Sequence, residues 1–203
     1  MDAKRIEELL SPFLGDARLS DEQLRQVQVY LDLLLKWNAK TNLTAVRGED
    51  EMVTRHFGES FFAARKSLSE AVGSAIDLGS GAGFPGLPMA IYSPETKMTL
   101  IESQNKKATF LKEVVRAVGL KNAEVFYGRG EEYRCAAELV TLRAVEKFED
   151  AAGIAAGMVV KGGRLALMVG VGHEAAVPKG FEWQVGEKVP ESASRVLMIG
   201  VKK

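Results

Sequence analysis

The run Ala75-Ile76-Asp77-Leu78-Gly79-Ser80-Gly81-Ala82-Gly83-Phe84-Pro85-Gly86 constrains the chain more than any other stretch, because an apolar strand opens directly into four glycines within eight residues. Glycine is needed where backbone must adopt positive φ or pass close to a ligand, and the helix that Pro85 can start would offer free N–H groups to an anion. A tight turn without a ligand is the competing reading, but a turn alone does not justify the chain entropy of so many glycines. A nucleotide-like ligand is therefore expected over Gly79, Ser80, Gly81, Gly83 and Phe84. Two common nucleotide loops do not fit. Counted from Gly79, a G-x-G-x-x-G fingerprint needs glycine where Phe84 stands, and the offset match from Gly81 to Gly86 begins past the strand end. No Gly-Lys-Ser/Thr follows, which removes the phosphate loop of the NTPases.

The pattern around this loop is that of a wound sheet. Short apolar runs at about 75–78, 98–102, 124–126, 139–142 and 164–169 alternate with helical patterns at about 85–92, 104–118, 130–136 and 147–158. Such alternation predicts an α/β fold with a mostly parallel sheet. Two late strand candidates, about 181–189 and 195–202, are joined by so short a link that they must pair antiparallel. Residues 1–70 instead read as a helical cap in front of a ligand-binding domain over 71–203. Leu24, Val27, Leu31, Leu34 and Leu35 recur at helical spacing over about 21–37, and Ser20 with Gln23 forms the signature of a capping box. A polar connection over 38–48 leads to a second helical pattern over 49–66.

Composition narrows the function classes. With 27 basic and 27 acidic residues the chain is neutral overall, and at 46% apolar residues it reads as an ordinary globular protein. A single cysteine, Cys135, rules out an intrachain disulfide, suits a reducing, cytoplasmic setting and is expected as a small core residue. The longest uncharged stretch, 78–94, is broken by glycine and proline, so no membrane segment is expected. The two histidines, His56 and His173, lie far apart in the chain, and no metal site is expected. The charge is nevertheless uneven: residues 97–129 hold seven basic against three acidic side chains. That window is either a solvated helix face or a surface for phosphates.

What fits the loop is Asp-x-Gly-x-Gly-x-Gly, the first motif of the class I S-adenosylmethionine-dependent methyltransferases. Asp77 takes the acidic place that helps orient the methionine end of that cofactor. Glu102 ends the second strand candidate 23 residues after Gly79, where a carboxylate can accept hydrogen bonds from ribose hydroxyls.

With these residues in place the chain resembles the RsmG (GidB) family, the bacterial 16S ribosomal RNA guanine-N7 methyltransferases, over nearly its whole length. The resemblance rests on the run Asp77 to Pro88 with its Gly-Phe-Pro-Gly continuation and on Trp37-Asn38-Ala39-Lys40-Thr41-Asn42-Leu43-Thr44-Ala45-Val46-Arg47. It rests also on Arg55-His56-Phe57-Gly58-Glu59-Ser60, Gly128-Arg129-Gly130-Glu131-Glu132 and Val140-Thr141-Leu142-Arg143-Ala144. It implies a Rossmann-like sheet, S-adenosyl-L-methionine as cofactor, and 16S rRNA or the small ribosomal subunit as partner of a monomer. It also implies that Gly79 and Phe84 contact the cofactor, that Gly130 and Glu131 lie near its adenine, and that Arg143 borders both cofactor and target base. Arg129 would meet phosphate or guanine edges, as arginine's two-pronged fork allows, and His56 would lie beside the cleft.

Arg47, Lys106 and Lys107 are further candidates for RNA contact from their place in basic segments, and Trp37 is either an interface aromatic or a base-stacking platform. The sequence departs from the family pattern at Val169, where a lysine is usual, so one phosphate contact is expected to be missing; Glu138 and Glu102 replace aspartates with the charge kept. Guanine N7 carries a lone pair and no proton, so its methylation needs alignment and no general base. Other readings compatible with the residues are a class I methyltransferase acting on another RNA or a small molecule, and an inactive cofactor-binding RNA module.

Overall fold

The computed structural model describes residues 1–68, 71–143, 148–170 and 177–203. Two helices open the chain, α1 (Ala3–Leu14) and α2 (Asp21–Thr41). The capping box forms as read: the Ser20 side chain accepts from the Gln23 N–H and the Gln23 side chain accepts from the Ser20 N–H. Gln23 also donates to the carbonyl of Ile91, 2.8 Å away, so the cap of α2 is tied to the domain that follows. The helix runs four residues past its expected end because Asn42 closes it in the left-handed conformation, φ 48°, which asparagine tolerates. Asn38, expected in a connection, is a buried residue of the last turns. Its amide holds the segment after the helix, accepting from the Thr44 N–H and donating to the Val46 carbonyl.

The second helical pattern is a continuous rod of three pieces: α3 (Glu49–Met52), a π-helical stretch (Val53–Gly58) and α4 (Glu59–Ser67). The wider π turn carries Arg55 and His56, and such turns are frequent at functional sites.

The sheet follows. Its strands are β1 (Ser74–Leu78), β2 (Lys97–Glu102), β3 (Ala123–Tyr127), β4 (Ala137–Arg143), β5 (Val159–Gly170), β6 (Phe181–Trp183), β7 (Glu187–Lys188) and β8 (Arg195–Lys202). They lie in the order β3-β2-β1-β4-β5-β8-β6, with β7 also on β8. The first five are parallel, and β8 inserts antiparallel beside β5, with β6 and β7 antiparallel along its other edge. The expected strand over 181–189 is thus two short pieces, with Gly186, where any Cβ would strike Met198 and Val196, between them. Between the strands run α5 (Gly86–Tyr92), α6 (Asn105–Val118) and α7 (Phe148–Gly157). The helix expected over 130–136 is only a 3-10 turn, Gly130–Glu132, and Cys135 beyond it is exposed, not in the core.

Alternation along the strands sorts the two sheet faces. Ala75, Leu100, Leu139, Ala166 and Met168 share one apolar cluster with Ile6, Leu34, Phe57, Phe61 and Phe110 from the helices before and within the sheet domain. Ile76, Ile101, Val140, Leu165 and Leu167 face the other way, against Ala152 and Ala155 of α7. The N-terminal helices therefore share one core with the sheet. Trp37 belongs to that seam, packed 5.6 Å from Phe110 and donating to Glu113 on α6; it is an interface aromatic. Chain order reverses between β1 and β4, the place where wound sheets hold ligands beyond their carboxyl ends.

The glycines after β1 divide by what surrounds them. A Cβ on Gly83, at φ +96°, would overlap the Tyr30 hydroxyl and Leu87, whereas one on Gly81, at φ +59°, would meet nothing nearer than the Gly79 carbonyl at 3.9 Å. Gly83→Ala should therefore destabilise the fold by about 2–4 kcal/mol, from overlap and backbone strain together, and Gly81→Ala by only about 1–2 kcal/mol from strain. Urea unfolding midpoints of the two variants measure the difference, and equal losses would contradict this division.

Candidate active-site cleft

A cleft of about 420 Å³ opens beyond the ends of β1, β2 and β4. Its floor is Gly79, Ser80, Gly81, Ala82 and Phe84; one side is Glu102, Ser103, Gln104 and Lys107; the other is Leu43, Thr44 and His56, with Arg143 and Arg195 closing it. Eight residues predicted from the sequence meet here: Gly79, Ser80, Gly81, Phe84, Glu102, Lys107, Arg143 and His56.

Glu102 is buried, 5% exposed, and holds the loop in place: one carboxylate oxygen accepts from the Gly81 N–H at 2.8 Å and the other from the Gln104 N–H at 2.7 Å. Each oxygen keeps a second acceptor position. The remaining loop amides are largely taken within the protein. Gly79 and Ser80 donate to the Ile101 carbonyl, and Gly83 and Phe84 donate to that of Ser80.

The N–H of Gly86, at the start of α5, donates to Asp77. The helix start expected to face an anionic ligand thus faces the chain's own carboxylate. Asp77 is 1% exposed, does not line the cleft, and divides its oxygens between Gly86 at 3.1 Å and the Thr141 hydroxyl at 2.8 Å. Its role is to pin the loop from beneath. Gly83 is likewise turned into the core against Tyr30 and Leu87. Gly130 is buried against Leu78, where a Cβ would come within 2.7 Å, so it is a packing glycine. Glu131, Arg129, Lys106 and Arg47 are exposed and outside the cleft lining, Arg47 donating to Asn42.

The N-terminal helices supply the opposite wall. Tyr30, fully buried, donates its hydroxyl to the Ala82 carbonyl, and its ring stacks on Phe84 at 5.2 Å; His56 stacks on the same ring at 4.8 Å. The hydroxyl of Thr44, which accepts from the Val46 N–H, lies 2.7 Å from Nε2 of His56. Burial, aided by Arg143, Arg55 and Arg195, pushes the His56 imidazole down to about 3. It is neutral at pH 7 and far too weak a base to hold a proton there.

Behind it stands an ion cluster that the sequence reading did not resolve. Glu59, 2% exposed, accepts from Arg143 at 2.8 Å and from Arg195 at 3.2 Å through the same carboxylate oxygen. Arg143 donates further to the Arg55 carbonyl at 2.7 Å, so most of its fork is occupied. Burial brings it down to about 10, and it stays charged at pH 7. Arg195 comes from β8, opposite Gly170 of β5. Val169, in the place of the expected lysine, is buried and pairs with Val196, and the cation at this corner of the cleft is Arg195 instead. Glu59 lay within a motif already quoted, but Arg195 follows a polar link and carries no local signal. His173 and Ala144 lie outside the described residues. Among the described residues no cluster of metal ligands forms and no helix is long and apolar enough to cross a membrane.

Comparison with known proteins agrees with this geometry. The family model for rRNA small subunit methyltransferase G, GidB, matches residues 23–193. The chain belongs to that family. The protein named ribosomal RNA small subunit methyltransferase G in Stenotrophomonas maltophilia is 40% identical over 195 residues, covering 94% of this chain and 88% of its own. The one in Alkaliphilus metalliredigens is 43% identical over 114 residues, and the match spans 56% of this chain and about half, 48%, of that relative. Among solved structures, the N-methyltransferase NodS from Bradyrhizobium japonicum, in complex with S-adenosyl-l-homocysteine, superposes with a TM-score of 0.57 at 14% identity, over 72% of this chain and 87% of its own. The architecture is thus that of the class I methyltransferases.

Burial raises the Asp77 carboxyl from 3.8 to about 6, against the pull of Thr141, Ser80, Gly86 and Arg143. Between those values the folded chain holds a proton that the unfolded chain has lost, so this group's contribution to stability falls as pH rises, by about 3 kcal/mol across the window. Carbon-13 NMR of the labelled aspartates should show one carboxyl, absent in Asp77→Asn, titrating near pH 6. A midpoint near 4 would mean that Asp77 is solvated.

Proposed function

We propose that this protein transfers the methyl group of S-adenosyl-L-methionine to N7 of a guanine in 16S ribosomal RNA of the small subunit, acting in the cytoplasm, with residues 1–70 as a cap on the cofactor-binding domain 71–203. The observation that carries the reading is the cleft itself. Its loop amides are spent on the protein's own carbonyls and on Asp77 and Glu102, which suits a cofactor without phosphates better than a dinucleotide. The missing Cβ of Gly81 leaves open space above the loop.

Bound there, the cofactor supplies a methyl on a positively charged sulfur, already activated for in-line displacement. Glu102 would hold its ribose through the acceptor positions that Gly81 and Gln104 leave, and Phe84, stacked between His56 and Tyr30, would form an apolar wall for the reacting end. The chain's remaining task is alignment of the nucleophile and exclusion of water.

What supports N7 as the target atom is the weak proton chemistry of the cleft. Among the described lining residues the single imidazole is held neutral and feebly basic, and this supports a nucleophile that has no proton to give up, as guanine N7 is. Lys107 on one side and Arg195 on the other supply positive charge for an RNA backbone, while Arg143 braces the wall through Glu59.

Small subunits and free 16S RNA incubated with methyl-labelled cofactor, digested and separated, should yield labelled 7-methylguanosine. Label on another nucleoside, or on a small molecule, would overturn this assignment. In calorimetric titration of the cofactor, Gly81→Val should abolish binding, because the branched side chain fills the space above the loop. Glu102→Ala should weaken binding by about 1.5–3 kcal/mol, the scale of hydrogen bonds to a charged group. Unchanged affinity in a folded Gly81→Val protein would remove the cofactor from this loop.

A further inference from the structure

We infer that the outer edge of the sheet, formed by α6 and β3, is a second RNA-binding surface that holds single-stranded substrate RNA leading away from the cleft. The inference rests on the proposed RNA substrate and extends it to a surface that no cleft residue forms.

The helix α6 begins beside the cleft, where Lys107 lines the wall, and runs down the sheet edge to Gly119. Lys112 and Arg116, four residues apart, share its outward face. With Lys121 they line a groove of about 340 Å³ at its far end, floored by Val115, Leu120 and Val125. No acidic residue lines that groove. Among the described residues none of the three cations makes an ion pair or hydrogen bond. The nearby carboxylates are engaged elsewhere: Glu113 accepts from Trp37, and Glu124 accepts from Thr99 on the opposite sheet face. From Lys107 to Arg116 the helix advances about 14 Å, so the positive charge continues from the cleft to the groove.

An aromatic side chain stands on the same edge. Tyr127 ends β3, two residues along the strand from Val125 and so on the same face. At 54% exposure it is one of two large apolar side chains left open among the described residues. It pairs in register with Glu102, which puts it next to the cofactor end of the cleft, with Arg129 two residues on. Cations that follow a backbone, together with an exposed ring on which a base can stack, are the two parts of a single-strand binding surface. A protein partner recognised by the same cations would have to be acidic, and it has no comparable use for an open ring beside the cleft.

The test uses the full chain with Lys112→Gln, Arg116→Gln and Lys121→Gln combined, and separately Tyr127→Ala. RNA affinity is measured by fluorescence anisotropy with single-stranded segments of 16S RNA, across a salt series. The triple variant should lower the salt slope of log affinity by about 2, at roughly 0.7 per lost contact. Tyr127→Ala should weaken binding about 5- to 150-fold with the slope unchanged. Cofactor titration of both variants should match the parent, which shows that they are folded.

An unchanged slope and affinity in a triple variant that still binds cofactor, while the parent binds RNA, would overturn the edge surface and leave the proposed substrate standing. A parent that binds and methylates no RNA would instead overturn the substrate itself. Loss confined to assembled subunits, with free RNA bound normally, would show that the surface docks a ribosomal protein, and the inference would fail.

Discussion

A single buried carboxylate holds the architecture of the cleft together. Asp77 sits at the point where the chain order of the sheet reverses, and it is bonded to the first amide of α5 and to the hydroxyl of Thr141 on β4. The start of α5 is thereby fixed to the paired strands β1 and β4. Burying a carboxylate is expensive unless its oxygens are satisfied, and here a hydroxyl and the first amide of a helix do so. The cost that remains shows as the raised proton affinity of the group. With that amide occupied, the loop above is shaped by the protein before any ligand arrives. The second carboxylate, Glu102, fixes the loop from the other side through Gly81. The pair explains why acidic residues recur at the ends of the first two strands: each binds backbone first, and only Glu102 also reaches the cleft.

The N-terminal helices complete the site rather than merely covering it. Tyr30 holds the Ala82 carbonyl, His56 and Tyr30 sandwich Phe84, and Glu59 anchors both arginines. A buried ion cluster of this kind adds little net stability, because desolvation offsets attraction; removing one partner is what is costly. Its effect is positional. Arg143 on β4 and Arg195 on β8 reach the same Glu59 oxygen of α4, so the last antiparallel strand, the fourth strand and the cap are held in one register around the cleft mouth.

What could be read in the sequence follows the range of the interactions involved. The wound sheet, the capping box at Ser20 and the glycine loop are local patterns, and the antiparallel C-terminal pair follows from a short link; all appear in the structure. The lengths of elements fared less well where one residue decides them. Asn42 closes α2 later than expected with a left-handed cap, and Gly186 lies between two strand pieces. The stretch after Gly130 holds only one turn, with its glycine packed on Leu78. Within the loop, the sequence shows four glycines but not which way each faces: Gly81 faces the open cleft, while Gly83 faces Tyr30, a residue from 53 positions earlier. Asp77 and Glu102 look equivalent in a motif and differ only by which side of the loop they support. The Glu59–Arg143–Arg195 cluster joins residues from three distant segments, so no spacing rule could have assembled it.

The charge distribution has a logic that the neutral total conceals. The two arginines of the cleft share one buried glutamate, whereas the lysines and arginine along α6 have no counter-charge. A cluster built around a buried carboxylate keeps its geometry through salt changes, while an unpaired exposed row is screened within about 10 Å at ordinary ionic strength. The wall of the cleft is therefore little affected by salt, and the charge along α6 is easily screened. The two properties are placed on different elements: the first on Glu59 and its two arginines, the second on the outer face of α6.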